Sequence, residues 1–289
     1  MGTGPEFAVS QFTTWHQSFE QDVALYMSLG VEAIEVCERK LSPDRAIAGK
    51  QLAFLKETGL RVTSVQPRIH ALFPDGMCPD IADPVKRSER FRDSVDFFGE
   101  CFPGESLPLV AISGKAPDFD YRGALRTARK LYPQLADYAG DRGVRIAFEP
   151  LSPILMNSDT FVCSLKDAVD LVQEVDRPNF GLLLDLWHVW SEPGIVERIA
   201  GLGEMVFGVH ISDWPAGGPR HVGDRVLPGD GVIDLPSLLG ALERSGYRGA
   251  YCLEIFSKDD LPGSLWMAEP GDVIERAREG FARAWGARR

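Results

Sequence analysis

Four side chains far apart in the chain carry the chemistry of first interest: Glu149, Asp185, His210 and Glu254. Each stands at or near the end of a short β-rich run. "VRIAFE" closes on Glu149, "NFGLLLD" closes on Asp185, "MVFGVHI" holds His210 one place from its end, and Glu254 sits between Leu253 and Ile255 in the last such run. Singly, each has an ordinary explanation. A glutamate ending a strand is commonly solvated, a histidine on an apolar strand is commonly a satisfied core side chain, and an aspartate after a strand commonly caps the next helix. Together they are harder to dismiss. Three carboxylates converging on one opening repel one another and raise each other's pKa, and a divalent cation compensates them most economically. Three oxygen ligands and one imidazole suit Mn²⁺ or Mg²⁺, with Zn²⁺ and Co²⁺ also compatible.

Convergence requires elements that bring those four positions together. β-rich runs cover 8–12, 31–37, 61–66, 108–113, 144–149, 179–185, 205–211 and 249–256. Helical patterns follow them over 19–29, 44–58, 84–101, 121–139, 164–175, 193–202, 235–245 and 271–285. Gly30, Gly59, Gly140 and Gly246 stand just past helical patterns, where glycine takes φ > 0 without strain. Strands alternating with helices imply a parallel sheet, because parallel strands need a crossover. Eight such units without a composition break imply a single (β/α)₈ TIM barrel of the α/β class, over residues 8–289. The opening Met-Gly-Thr-Gly-Pro-Glu-Phe, residues 1–7, reads as a remnant of expression cloning. No G-x-G-x-x-G follows the first strand, which weighs against a dinucleotide-binding sheet. In a (β/α)₈ barrel, chemistry lies at the C-terminal ends of the strands, where the four residues fall.

Composition narrows the partners. The formal net charge of −11 disfavours nucleic acid, which needs a basic footprint to neutralise phosphates. The five cysteines are scattered and include no C-x-x-C pair, so neither a disulfide framework nor a thiolate zinc site is expected, and a reducing cytoplasmic location fits. No run approaches the ~20 apolar residues that span a bilayer. A small-molecule substrate is therefore expected, with neither membrane nor nucleic acid as partner; a homo-oligomer is compatible with the sequence.

The ordered series "AFEP", "LLLDLWH", "GVHISD", "DRVLPGDGVIDL" and "CLEI" resembles the xylose-isomerase-like TIM-barrel superfamily, which contains sugar isomerases and epimerases, inosose dehydratases and AP endonucleases. The resemblance spans roughly residues 8–285, with its specific motifs in 144–256. It implies that Glu149, Asp185, His210 and Glu254 are metal ligands. Glu149 and Glu254 also match the pair that shuttles a proton in the ketose epimerases, and His188 and Arg225 match substrate contacts. An arginine in a Gly/Pro-rich loop can donate several hydrogen bonds to sugar oxygens; a solvated loop charge is the competing reading of Arg225. His70, and likewise His16 with Trp15, could line the mouth but read first as loop residues without a role, and His221 reads as exposed. Lys115 is a weak candidate for a base or anion contact. Glu35 could point into the barrel or away from it. Trp187, Trp190, Trp214 and Trp266 fall in post-strand loops, where they could flank a sugar or simply pack.

The expected activity is metal-dependent isomerisation or epimerisation of a keto sugar or related polyol, by proton transfer through an enediolate between Glu149 and Glu254. The alternative on the same site is a lyase, either a dehydratase of a keto-inositol or an eliminase of an oxidised glycoside. AP endonuclease-like DNA repair ranks below both, because that chemistry uses a histidine-rich zinc cluster and this chain has five histidines in all. A sugar-binding barrel without turnover would need fewer charges than this set.

Overall fold

Eight apolar runs become eight parallel strands paired in chain order, and the first closes on the last. They are β1 (Phe7–Ser10), β2 (Ala33–Cys37), β3 (Arg61–Gln66), β4 (Pro108–Ala111), β5 (Arg145–Phe148), β6 (Phe180–Asp185), β7 (Val206–Ile211) and β8 (Tyr251–Leu253). The structure, a computed structural model, describes residues 4–217 and 221–289. Of the expected cloning remnant, residues 1–3 lie outside the described residues, whereas Phe7 is the first residue of β1 and pairs with Tyr251.

Helices cover the outside: α1 (Phe19–Ser28), α2 (Arg45–Glu57), α3 (Pro84–Cys101), α4 (Tyr121–Gly140), α5 (Leu165–Val175), α6 (Leu186–Val189), α7 (Ile195–Ala200), α8 (Leu235–Ser245) and α9 (Pro270–Gly286). Their starts are fixed locally. Ser18, Asp44, Asp83, Asp120, Ser164 and Asp234 each accept a hydrogen bond from a first-turn N–H, worth about 1 kcal/mol apiece. The sixth unit departs from the single helix expected over 193–202. The chain turns into α6 directly after β6, because Asp185 caps that turn through Trp187 N–H, and Gly194 at φ 68° then opens the shorter α7. Among the described residues no helix is long and apolar enough to cross a membrane.

Alternation along the strands separates two interiors. Ile34, Val36, Ile146, Phe148, Leu182 and Leu184 join helix side chains in the main core. The opposite face holds mostly small residues in separate clusters: Ala8, Ala33, Ala250 and Cys252, then Val110, Ala147 and Leu183. Two places further along the same face stand Glu35 above Ala33, Glu149 above Ala147, Asp185 above Leu183 and Glu254 above Cys252. The barrel interior is thus small and apolar at its base and acidic toward its mouth.

The segment 67–83 forms one wall of the mouth and is tied to the end of β4. Phe73 N–H donates to Ser113 O at 3.1 Å, and Lys115 N–H to Pro74 O at 2.9 Å. Between these contacts Gly114 takes φ +72°, and a Cβ there would lie 2.1 Å from Phe73 O. We expect Gly114→Ala to lower stability by about 2–3 kcal/mol through left-handed strain and loop displacement, read as a shift in the urea midpoint. A midpoint equal to the parent protein's would show that the close approach is dispensable.

Candidate metal centre

Strand pairing places the four acidic and imidazole groups at one level. Asp185 of β6 is in register with His210 of β7. Glu149 and Glu254 lie one residue past their strands, yet their N–H groups continue the ladder, to Ala111 O at 2.8 Å and Ile211 O at 3.2 Å. The ligand-type atoms of Glu149, Asp185, His210 and Glu254 all lie within 4.8 Å of one another, and all four residues are buried.

Each is held by a defined partner. Asp185 does two things: Oδ1 caps α6 through Trp187 N–H at 2.8 Å, and Oδ2 accepts from Arg225 Nη1 at 2.6 Å. His210 Nε2 lies 2.9 Å from Glu35 Oε2, which also accepts from Ser64 Oγ at 2.7 Å. That leaves His210 Nδ1 turned toward the cluster, 3.3 Å from Glu254 Oε2 but without the alignment of a hydrogen bond. Gln66 Nε2 spans from Glu254 Oε1 at 3.4 Å to Glu35 Oε1 at 3.5 Å.

Burial and the neighbouring Glu254 push the Glu149 carboxyl well above the usual glutamate range. Burial also opposes ionisation of Asp185, but neighbouring positive charge, that of Arg225 above all, outweighs it and holds that carboxyl below its ordinary value. Glu35 is lowered in the same way: burial opposes its charge and His210 overcomes the opposition. Burial disfavours the His210 imidazolium, yet Glu254 and Glu35 hold its pKa well above the ordinary histidine value. Positive charge among the carboxylates therefore comes from Arg225 and His210.

A divalent cation fits this set. Ligand atoms across a cation at about 2.1–2.2 Å stand about 4.4 Å apart, close to the spread seen here. His210 offers a buried nitrogen without a hydrogen-bond partner, and its other nitrogen is fixed by a carboxylate, the usual support of a ligating histidine. The cation would take the place of the proton on Nδ1. Cys252 Sγ also lies near Glu35 and His210. Burial, with Glu35, Glu254 and Asp185 nearby, pushes its thiol well above the ordinary cysteine range, so it is not poised as a thiolate ligand.

Arg225 is not a solvated loop charge. It is 3% exposed and donates through Nη1 to Asp185, to Glu254 Oε2 at 3.1 Å and to Glu254 O at 3.2 Å. Its guanidinium packs between the rings of Trp187 and Phe256. Asp213 fixes the loop that delivers it. The backbones of Asp213 and Val226 exchange hydrogen bonds at 2.8 and 3.1 Å, while the Asp213 carboxylate accepts from Gly229 and Ile233 N–H, both at 2.9 Å.

His188, on α6, is also buried. Ser152 N–H donates to its Nδ1 at 3.0 Å. A backbone N–H can only donate, so the hydrogen of the neutral ring sits on Nε2. Burial holds the ring neutral, with a pKa near 3. Arg225 Nη2 approaches Nε2 at 3.3 Å. Both nitrogens are donors, and a ligand oxygen seated beside the pair on the cavity side could accept from them.

Glu149, His188, Arg225 and Glu254 open into a cavity of about 100 Å³, together with Gln66 and His70. Much of its wall is apolar, including Phe12, Met77, Ile112, Leu151, Leu155 and Phe256. For two residues the structure decides between readings that the sequence left open. Glu35 points into the barrel, a register that its run alone left open. His70, expected to be a loop residue without a role, is 8% exposed and lines the cavity. Other candidates fall away from it. His16 pairs with Asp259 at the surface, His221 accepts from Gly223 N–H in its own turn, and Lys115 is exposed. Trp187 is buried and packs against Trp214, which also contacts Trp190, while Trp266 packs against Trp15 and Phe256.

Comparison with known proteins agrees with this architecture. A 3-dehydroshikimate dehydratase of Pseudomonas aeruginosa is 38% identical over 131 residues, 43% of this chain, and the matched part spans only 20% of that protein's length. The L-ribulose-5-phosphate 3-epimerase UlaE of Escherichia coli is 27% identical over 236 residues, covering 79% of this chain and 77% of its own. A crystal structure of a protein from Sinorhizobium meliloti 1021 superposes with a TM-score of 0.83 at 26% identity, over 96% of this chain and 98% of that one. The family described as xylose isomerase-like TIM barrel matches residues 23–284. With the closed eight-stranded barrel, that match establishes that the chain belongs to the xylose isomerase-like TIM barrel family.

Proposed function

We propose that this enzyme isomerises or epimerises a keto sugar or related polyol with one divalent metal ion held by Glu149, Asp185, His210 and Glu254. The observation that carries the reading is the convergence of two glutamates, one aspartate and an imidazole on a single cavity. A divalent cation bound there supplies Lewis acidity that lowers the pKa of a C–H beside a chelated carbonyl; Mn²⁺ or Mg²⁺ suits the oxygen-rich set best. Glu149 and Glu254 reach the cavity from β5 and β8, so one can remove the proton from carbon while the other returns one. Delivery to the opposite face of the same carbon gives an epimer, and delivery to the neighbouring carbon gives an isomer. His188 Nε2–H and Arg225 Nη2–H stand side by side at the cavity, each a donor for a substrate oxygen. Arg225 also offsets the charge of Asp185 and Glu254.

A second reading is favoured by the similarity to the dehydratase. The same proton abstraction followed by loss of a β-leaving group makes the enzyme a lyase: the glutamate that takes the proton from carbon returns it to the departing oxygen, with His188 Nε2–H placed to donate a hydrogen bond to that oxygen. NMR in deuterated water, with a panel of ketohexoses and keto-inositols, separates the two. Deuterium uptake at carbon with the substrate skeleton intact marks an isomerase or epimerase, whereas release of water or an aglycone marks a lyase. A metal-loaded protein that exchanges no C–H in the panel would defeat the proposal.

Glu149→Gln and Glu254→Gln keep size and one acceptor oxygen but lose basicity. Each should fold and lose about 10²–10⁴ in turnover, and one of them could still exchange the substrate proton without forming product. Near-parental rates in both, with metal bound, would remove the two glutamates from proton transfer. Glu35→Gln should weaken Mn²⁺ affinity about 10–100-fold by releasing the orientation of His210, measured by titration calorimetry. Unchanged affinity would separate Glu35 from the metal centre.

A further inference from the structure

His70 lies outside the four-residue cluster and takes no part in the chemistry described so far. Its backbone is locked where the chain leaves β3. Ile112 N–H donates to His70 O at 3.0 Å and Leu72 N–H to Ile112 O at 3.2 Å, which bridges Ala71 to Ile112 beyond the strand ends. Arg87, itself buried, clamps the same segment through Ala71 O at 2.7 Å and Asp75 Oδ2 at 2.6 Å. The imidazole is thus carried on fixed backbone, more than nine-tenths buried, and it lines the cavity that also holds Glu149, His188, Arg225 and Glu254.

The ring's polarity follows from its one hydrogen bond. Nδ1 lies 3.2 Å from Pro67 O. A carbonyl only accepts, so Nδ1 carries the hydrogen. Burial lowers the pKa of this ring, which keeps it neutral, and Nε2 therefore bears a lone pair. Among the described residues no group donates to that nitrogen. His188 has the reverse polarity, since Ser152 N–H occupies its Nδ1 and leaves Nε2–H as a donor. Backbone groups thus set two histidines of opposite character into one cavity, an acceptor from the β3 side and a donor from the β6 side.

We infer that His70 is a specificity-determining residue whose Nε2 accepts a hydrogen bond from a hydroxyl of the bound polyol. A ring nitrogen that presents a lone pair to the cavity favours ligands that place a hydroxyl on it over those that do not. The inference rests on the polyol reading of the cavity given above, but its test does not depend on turnover.

Asparagine can reproduce the Nδ1 contact to Pro67 while removing the group at the Nε2 position, whereas glutamine can place its amide oxygen near Nε2. The metal-loaded parent, His70→Asn and His70→Gln are titrated with myo-inositol and with D-sorbitol, non-reacting cyclic and open-chain polyols, and binding is followed by tryptophan fluorescence. His70→Asn should weaken binding of at least one polyol about tenfold, His70→Gln should recover most of that loss, and all three proteins should hold the same metal content. With any ketone that turns over, the loss in His70→Asn should fall on KM, with kcat nearly unchanged. Equal polyol affinity in the parent and His70→Asn, absence of saturable binding to the parent, or loss of metal from His70→Asn would each overturn the assignment. If no ketone exchanges its C–H while polyol binding still follows the Asn and Gln pattern, the catalytic reading fails and the role of His70 stands.

Discussion

Negative charge crowded into a buried volume is the constraint around which this site is built. Glu149, Asp185 and Glu254 are each no more than 5% exposed and share one small space, with Glu35 buried on the far side of His210. Water cannot screen them there, so the fold must supply positive charge or leave protons bound. It does both. Arg225 reaches Asp185 and Glu254, His210 lies between Glu254 and Glu35, and Glu149, with no cation in contact, is the carboxyl pushed upward in pKa. A bound divalent cation would relieve the same frustration, which is why a centre that is poor for stability is well suited to holding a metal.

The rest of the molecule serves that concentration of charge. Parallel pairing sets Asp185 beside His210, and ladder hydrogen bonds carry Glu149 and Glu254 to the same rim. Small residues at the base of the barrel leave room for long acidic side chains above them. The loop after β7 has a different task. It must bring a cation back over the mouth, and the Asp213 carboxylate and the Asp213–Val226 bridge anchor the stretch that carries Arg225. A guanidinium anchored in this way and flanked by Trp187 and Phe256 loses little freedom when it meets a ligand.

Backbone groups also decide what the two cavity histidines can do. Identical side chains become a donor at 188 and an acceptor at 70 because one meets an N–H and the other a carbonyl. The apolar share of the wall adds a second requirement, since a ligand must bury carbon as well as satisfy polar groups.

Much of this was written in the sequence. The alternation of apolar runs with capped helical patterns specified eight β/α units, because strand and helix periods are local properties of the chain. Strand-end position singled out Glu149, Asp185, His210 and Glu254, because the family of barrels to which such units belong exposes those ends. Glu35 was legible in part. In "AIEVC" the branched residues Ile34 and Val36 share one face and Ala33 and Glu35 the other, the same small-then-acidic pattern as Ala147 and Glu149. One strand read alone has two faces and no way to rank them, so its register stayed open. Tertiary structure alone decided the rest. Whether Arg225 was solvated or buried depended on the path of a loop whose bends are set by contacts to Asp213. Whether His70 was idle or lined the cavity depended on how the segment after β3 joins the end of β4. Such contacts lie between residues distant in sequence, and neither composition nor periodicity records them.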